Sequence, residues 1–351
     1  MKLLIYLEQE KILNIMKKKK QPNPGVGGTT YTAARLALSL KEEIETFGYD
    51  IRIFLTTKCS NFSLFHGIEV IPLNQIKFFN FDCSIITGDL INDLYEKIIS
   101  INSKRFISCI RHPYDYDKIW KSKKIKSEIV SVSEACYLSN FLICGNHNQI
   151  DNIFNANIIR DSLSVLPKSP VDILKKTNAN NNETFRVGYM GALVSSKGFH
   201  LVAKNWSKIS EYCKKNNQKL KLEVIGGSEL YEFEESHKTL PCSKVYGDLI
   251  QKYLGDKINK SVIFHGTLGP ERYQIMNKCD IAIVNPNGDG ESFCTSILEW
   301  FSLGVPVISS LNYGTSDYMK YFEELTISNP SQITNRIIKF LKYDKNKVEK
   351  L

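Results

Sequence analysis

A chain of 351 residues exceeds one ordinary domain and accommodates two. Its 42% hydrophobic and 24% charged residues are those of a globular chain with full cores, and no apolar run approaches the ~18 residues a membrane span needs. A net charge of +9 comes without any nucleic-acid module, and nine cysteines come without a CxxC pair, which argues against nucleic acid as a partner, a disulfide framework and a zinc site.

The first half alternates strand and helix. KLLIYL reads as a strand, and the acidic residues of MKLLIYLEQE stand where a secretory leader keeps its apolar run, so the cytosol is the expected compartment. The lysine run at 17–20 reads either as a solvated face or as an attraction to anionic headgroups or phosphate-bearing substrates. In PNPGVGGTTYTAARLALSL, Gly25, Gly27 and Gly28 precede an amphipathic helix that ends at Gly48. Glycines at a helix start let backbone N–H groups approach a phosphate, although the dinucleotide fingerprint is incomplete because its third glycine is missing. DIRIFLT, FDCSIITG, KRFISCIR and EIVSVS are further short strands. His112 follows one of them in FISCIRHPYDY, and Asp115-Tyr116-Asp117 lies past that His-Pro turn, away from a strand end, so no metal is expected there. The basic stretch 118–126 carries Ile119 and Trp120 among its lysines, which tilts it towards a membrane interface.

The polar, Asn-rich segment 169–184 is the expected linker, dividing a first domain, 1–168, from a second, 185–330. Alternation restarts with FRVGYMGAL, and Lys197-Gly198 then enters a helix, where a lysine can hold a diphosphate as a point charge or be an ordinary exposed side chain. KLEVIGG and SVIFHGTLG follow, and the turn His265-Gly266-Thr267 presents backbone groups to a base or serves simply as a turn. After the strand DIAIVNP comes GDGESFCTSILEWFSLGVPVISS, in which a helix from about Cys294 stops at Gly304. Ile297 and Phe301, four apart, pack on the sheet, and Glu299 points away from that buried face. There Glu299 accepts hydrogen bonds from a vicinal diol, as acidic residues do in nucleotide sites, or is a surface glutamate. Glu291 lies before the helix, beside the amides that open it. Residues 331–351 read as a helix with a basic outer face, expected to cross back to the first domain.

Such alternation predicts an α/β chain of two Rossmann-like, doubly wound domains facing across a cleft, with ligand-binding residues in the strand-to-helix loops. The motifs resemble those of the retaining nucleotide-sugar glycosyltransferases of family 4, which have the GT-B fold. The resemblance rests on Glu291 and Glu299 with seven residues between them, followed by Gly304-Val305-Pro306-Val307-Ile308. It is strengthened by FHGTLGPERYQIMNKCDIAIVNP, SSKGFH, GVGGTTY and SEIVSVSEACYLSNFL, all in the family's order.

The resemblance implies a hexosyltransferase acting on a nucleotide-diphosphate sugar and a glycan or lipid-linked acceptor, in surface polysaccharide or glycolipid synthesis at the inner face of a membrane. Gly27 and Gly28 would approach the donor diphosphate and Lys197 would neutralise it. Glu291 would lie over the sugar, with the amides of Ser292, Phe293, Cys294 and Thr295 on its hydroxyls and phosphate. Glu299 would bind the ribose and the turn Gly266, Thr267, Leu268 the base, while His112 would stand on the acceptor side near the reacting carbon. No metal or other cofactor is implied. Three positions depart from the family: Ala192 stands where an arginine is usual, and Ser292 and Cys294 replace two glycines, which points to an altered sugar pocket. Ala192 also keeps open a non-catalytic glycosyltransferase-like subunit, and the fold itself a sugar-nucleotide epimerase.

Overall fold

The computed structural model of the chain describes residues 1–9, 12–17, 23–24, 27–87, 99–111, 125–134, 157–158, 184–229, 235–288, 291 and 293–343. It divides into two units, Met1–Ser164 and Val165–Leu351. The linker expected at 169–184 is described only at Thr184.

The first unit is built on an eight-stranded sheet. Strand β1 (Lys2–Tyr6) is buried at all but its first residue, as expected of a strand covered on both faces. A short helix α1 (Ile12–Met16) buries Ile12, Ile15 and Met16, and α2 (Gly28–Phe47) buries Ala33, Ala34, Ala37, Leu38 and Ile44. Gly48 ends α2 in the left-handed conformation, φ 68°, and donates its N–H to the Ile44 carbonyl. Then come β2 (Arg52–Thr57), β3 (Ser63–Phe65), β4 (Ile68–Pro72), β5 (Asn80–Phe81), β6 (Cys83–Ile86), β7 (Asn102–Ser103), β8 (Phe106–Ile110), β9 (Glu128–Ser131) and β10 (Asn157–Ile158). The sheet order is β10-β9-β8-β6-β1-β2-β4-β3, with β5 and β7 paired separately. Every pairing is parallel except the β3–β4 hairpin. The chain thus starts mid-sheet, winds outward through β2 and β4, and returns to β6 on the other side of β1. Ile5, Leu7, Ile53 and Leu55 pack under α1 and α2, while Leu4, Tyr6, Phe54 and Ile71 build a second core on the other face.

The second unit repeats the plan more regularly. Its elements are β11 (Thr184–Met190), α3 (Phe199–Lys215), β12 (Lys219–Ile225), α4 (Lys244–Leu254), β13 (Val262–Phe264), α5 (Arg272–Met276), β14 (Ile281–Ile283), α6 (Thr295–Phe301), β15 (Val307–Ser310), α7 (Ser316–Met319), β16 (Thr326–Ile327) and α8 (Ile333–Leu341). The sheet runs β13-β12-β11-β14-β15-β16, all parallel. Numbered from β11, that is the doubly wound order 3-2-1-4-5-6, and its direction reverses between β11 and β14. One close approach fixes α6 on this sheet: the ring of Trp300, fully buried, lies over Gly188, where any Cβ would overlap it. The helix ends as the sequence suggests. The Gly304 N–H donates to the Phe301 carbonyl and the Val305 N–H to that of Trp300, the paired bonds of a Schellman cap.

Helix α8 buries Ile333, Ile337 and Phe340 in the core of the second unit, and the Thr334 hydroxyl donates to the Asn205 side-chain oxygen on α3 at 3.0 Å. Of the segment 331–351, residues up to Tyr343 therefore belong to this core, and 344–351 lie outside the described residues. Among the described residues no helix is long and apolar enough to cross a membrane.

Candidate functional site

Ligands of doubly wound sheets bind past the carboxyl ends of the strands where the order reverses. In the second unit this is the ground between the loops that follow β11 and β14. The β11 loop is laced to its neighbour after β12: the Gly191 N–H donates to the Ile225 carbonyl and the Leu193 N–H to that of Gly227, each at 3.1 Å. Gly226, at φ 134°, faces Gly191 so closely that a Cβ there would overlap the Gly191 carbonyl oxygen. A 3-10 turn, Ser195–Lys197, then leads into α3, and the Tyr189 hydroxyl donates to the Lys197 carbonyl at 3.0 Å. The backbone that carries Lys197 is held from two sides.

The β14 loop is held as firmly. Asn285 is 2% exposed and sits at φ 42°, in the left-handed region that a non-glycine residue rarely adopts. Its carbonyl accepts from the Gly288 N–H and the Ser310 hydroxyl. Further on, the Glu291 carbonyl accepts the Gly314 N–H at 2.9 Å, and the Cys294 carbonyl accepts the Tyr318 hydroxyl at 2.8 Å.

These two loops bring together residues 94 apart in sequence: the Lys197 ammonium donates to Glu291 Oε2 at 2.7 Å. The Asn285 amide donates to the same oxygen at 3.0 Å. The pair is part-buried, with side-chain exposures of 24% and 13%, so its charges interact in a medium less polar than water. At the start of α6 the Ile297 N–H donates to the Cys294 carbonyl at 3.0 Å, while a helix leaves the amides before it without a partner of its own. A lysine, a carboxylate and helix-start amides thus share one place, an arrangement suited to an anionic group joined to a hydroxyl-bearing one.

A second cluster lies on the other side of α6. Glu299 is 6% exposed, contrary to the expectation that it points away from the buried face. The reason is Arg272, the first residue of α5, itself 4% exposed, whose Nε donates to Glu299 Oε2 at 2.8 Å. A paired carboxylate tolerates burial that a lone one does not. The same guanidinium donates from Nη1 to the Gly269 carbonyl at 2.8 Å and from Nη2 to the Tyr273 hydroxyl at 3.0 Å. Arg272 therefore ties Glu299 to the turn 266–269. In that turn Gly266 has φ 68°, its carbonyl accepts the Gly226 N–H at 2.8 Å, and the Thr267 hydroxyl donates to Glu229. Leu268 packs at the edge of the core. His265 does not join this turn's surface: its Nε2 meets Glu223 at 2.8 Å, and Glu223 also pairs with Arg186.

The Cys294 thiol is buried in the core, where desolvation, and after it the Glu291 charge, pushes it up to about 12. The side chain of Cys294 consequently belongs to the core. Burial likewise raises the Tyr318 hydroxyl well above its ordinary range, with smaller contributions from Cys294 and Glu291. Tyr318 stays a neutral donor. Phe293, edge-on to the Tyr318 ring at 5.5 Å, completes this support.

Gly27 and Gly28 lie in the first unit at the start of α2, where the Thr30 hydroxyl donates to Gln9 just beyond β1. His112 and Ser292 lie outside the described residues, as do Lys18–Lys20, 118–124 of the second basic stretch and Asp115–Asp117. Among the described residues no three His, Cys, Asp or Glu side chains gather as they would around a metal ion. Asn285, Arg272 and Tyr318 went unread in the sequence. Only Asn285 left a trace there, as the Asn-Pro turn that ends DIAIVNP.

Comparison with known proteins bears on this site. A family model described as glycosyl transferases group 1 matches residues 171–351. Among solved structures the chain is similar to Anabaena Alr3699/HepE, crystallised with UDP and glucose, with 12% identity, coverage of 99% of this chain and 91% of that one, and a TM-score of 0.62. It is similar to WaaG, a glycosyltransferase involved in lipopolysaccharide biosynthesis, with 11% identity, 99% and 92% coverage and a TM-score of 0.64. A trehalose-6-phosphate synthase, studied for glycosyl transfer with retention, gives 9% identity, 99% and 92% coverage and a TM-score of 0.63. At these identities the likeness speaks for the fold, the GT-B class with its two Rossmann-like domains. No curated protein sequence matches the chain. The family model spans just over half of the 351 residues, including Lys197, Glu291 and Glu299, and the chain belongs to the group 1 glycosyl transferases.

Proposed function

We propose that this glycosyltransferase moves a hexosyl group from a UDP-linked donor to a glycan or lipid-linked acceptor with retention of configuration, in the manner of family 4. The observation that carries the reading is the meeting of Lys197 and Glu291 at 2.7 Å, from the two loops that flank the reversal of strand order. A donor of this class is a diphosphate joined to a sugar, and the pair offers a cation for the first and a carboxylate for the second. The choice of UDP is supported by HepE, which binds UDP and glucose. Retention is supported by the trehalose-6-phosphate synthase, and a surface-glycan acceptor by WaaG.

In this reading the diphosphate draws Lys197 from Glu291. Negative charge grows on the leaving phosphate as the anomeric bond breaks, and Lys197 with the opening amides of α6, those of Phe293, Cys294 and Thr295 among them, stabilises it without reorganising at the moment of reaction. Glu291, released, lies over the sugar and accepts from its hydroxyls. The acceptor attacks from the face the phosphate leaves, and the departing phosphate oxygen takes the acceptor's proton. The family resemblance would give His112 a role towards the acceptor. Lys197 and the amides handle the charge without a metal ion. The basic segments 17–20 and 118–126 would hold the protein to an anionic membrane surface on the cytoplasmic side.

Thermal unfolding in a panel of UDP-, GDP-, ADP- and dTDP-linked hexoses tests the donor assignment. A bound donor at ~100 times its Kd adds about 2.7 kcal/mol to stability, so UDP-hexoses are expected to raise the midpoint by several degrees. A midpoint indifferent to every nucleotide sugar would remove the basis for a donor site in the second unit.

A further inference from the structure

Arg272 belongs to neither of the glutamate positions nor to the lysine that carry the family resemblance, yet it is among the most thoroughly engaged side chains of the second unit. It is 4% exposed, and its guanidinium makes directed bonds to Glu299 Oε2, the Gly269 carbonyl and the Tyr273 hydroxyl. It also lies 4.5 Å over the Tyr273 ring. The bond to Glu299 occupies one carboxylate oxygen. The other, Oε1, takes no hydrogen bond from a described residue and is not among the sealed, unpaired atoms of the interior, so it keeps some contact with solvent although Glu299 as a whole is 6% exposed. The planar fork of an arginine fixes direction as well as charge, which a lysine does not. A carboxylate so gripped cannot rotate freely about its last torsion, so Oε1 is held in one place. The second grip, on Gly269, sets the turn 266–269 in register with that carboxylate.

We propose that Arg272 is the positioning residue of the nucleoside half of the donor site: it aims Glu299 Oε1 at a ribose hydroxyl and holds the base-facing turn at a fixed distance from it. The proposal rests on the ribose role that the family resemblance implies for Glu299 within the function proposed above, and it adds that recognition of the ribose depends on a residue that does not touch it. Arg272 acts through Glu299, and its loss should show as lost discrimination between sugars of the nucleoside, with little change in the chemical step once the donor is bound.

The test is a ratio of affinities measured by titration calorimetry with UDP and 2′-deoxy-UDP. Removing a hydroxyl that donates to a carboxylate is expected to weaken binding roughly tenfold in the wild type. Arg272→Lys keeps a positive charge beside Glu299 and loses the fork. It should bring the ratio to within about twofold, raise the donor KM and leave kcat near the wild-type value. Tyr273→Phe removes one anchor of the guanidinium without changing any charge, and should lower the ratio part of the way. It carries the test alone if Arg272→Lys does not fold. Glu299→Gln should abolish the preference. A folded Arg272→Lys, or failing that Tyr273→Phe, that keeps the full ratio while Glu299→Gln loses it overturns the positioning role and leaves the ribose assignment standing. A wild type that does not distinguish the two nucleotides, or a Glu299→Gln variant that still does, overturns the ribose assignment and the proposal with it.

Discussion

Both units place an ion pair near the carboxyl ends of their central strands, and the two pairs differ most in how far the lysine is withdrawn from water. In the first unit Lys58 meets Glu8 at 3.2 Å with the lysine side chain 62% exposed. In the second, Lys197 meets Glu291 at 2.7 Å with 24% and 13% exposure, and Asn285 adds a second donor to the same oxygen. The loops beneath them differ in the same sense. A Cβ added at Gly27 or Gly28 would meet nothing within 4 Å, whereas at Gly226 it would overlap the backbone of Gly191. A reversal of strand order gives each sheet a crevice. It becomes a chemical site where the loops are determined tightly enough to hold opposite charges out of bulk water, because exposed pairs are screened and contribute little.

The largest effect should come from breaking the second pair. Lys197→Ala and Glu291→Ala are each expected to lower kcat/KM for transfer at least ~100-fold, the loss seen when a preorganised charge-stabilising donor is removed. The exposed counterpart, Lys58→Ala, should change it less than about twofold. Steady-state rates with the donor identified by thermal shift decide the matter, and two second-unit variants with wild-type turnover would dissolve the contrast. Next in size is a steric comparison. Gly226→Ala adds a Cβ against fixed backbone in a region side chains rarely adopt, and should destabilise the second unit by about 3 kcal/mol. Gly28→Ala, at the first position of α2 with open space around it, should stay within about 0.5 kcal/mol of wild type. Urea unfolding curves of the two variants measure the difference. If both proved neutral, the claim that the second unit's loops are the more rigidly specified would fail.

How far the sequence revealed this contrast depended on whether the information was local. Strands buried on both faces appear as unbroken apolar runs, so KLLIY and the alternation around it were legible, as was the end of α6 at Gly304. Lys197 and Glu291 were each visible as chemistry at a helix start, but their contact was not, since 94 residues and a whole sheet separate them. Helix α1 was hidden because KILNIM runs into KKKK, and the charge run drew attention from the three buried residues before it. Glu299 was misplaced for a different reason. Helical spacing tells which side of α6 faces the sheet, and says nothing of a second helix that covers the opposite side with an arginine. The role of Asn285 depends on a backbone angle, φ 42°, that no residue pattern specifies.

The smallest expected effect concerns His200, at the entry to α3. Its Nδ1 lies 3.2 Å from the Tyr246 hydroxyl, and burial, helped by Lys204, lowers its affinity for a proton below the ordinary histidine value of 6.5. In the window between that lowered value and 6.5 the unfolded chain binds more protons than the folded one. Stability should therefore be full above about pH 6.5 and decline as pH falls through the window, the sign set by linkage. His200→Asn should flatten that slope between pH 7 and pH 5 without altering stability at pH 7.5 by more than about 1 kcal/mol. Urea midpoints across this pH range measure it. An unchanged slope in His200→Asn would assign the acid sensitivity of the second unit to other groups, and would mean that the contact with Tyr246 holds the histidine equally well in both protonation states.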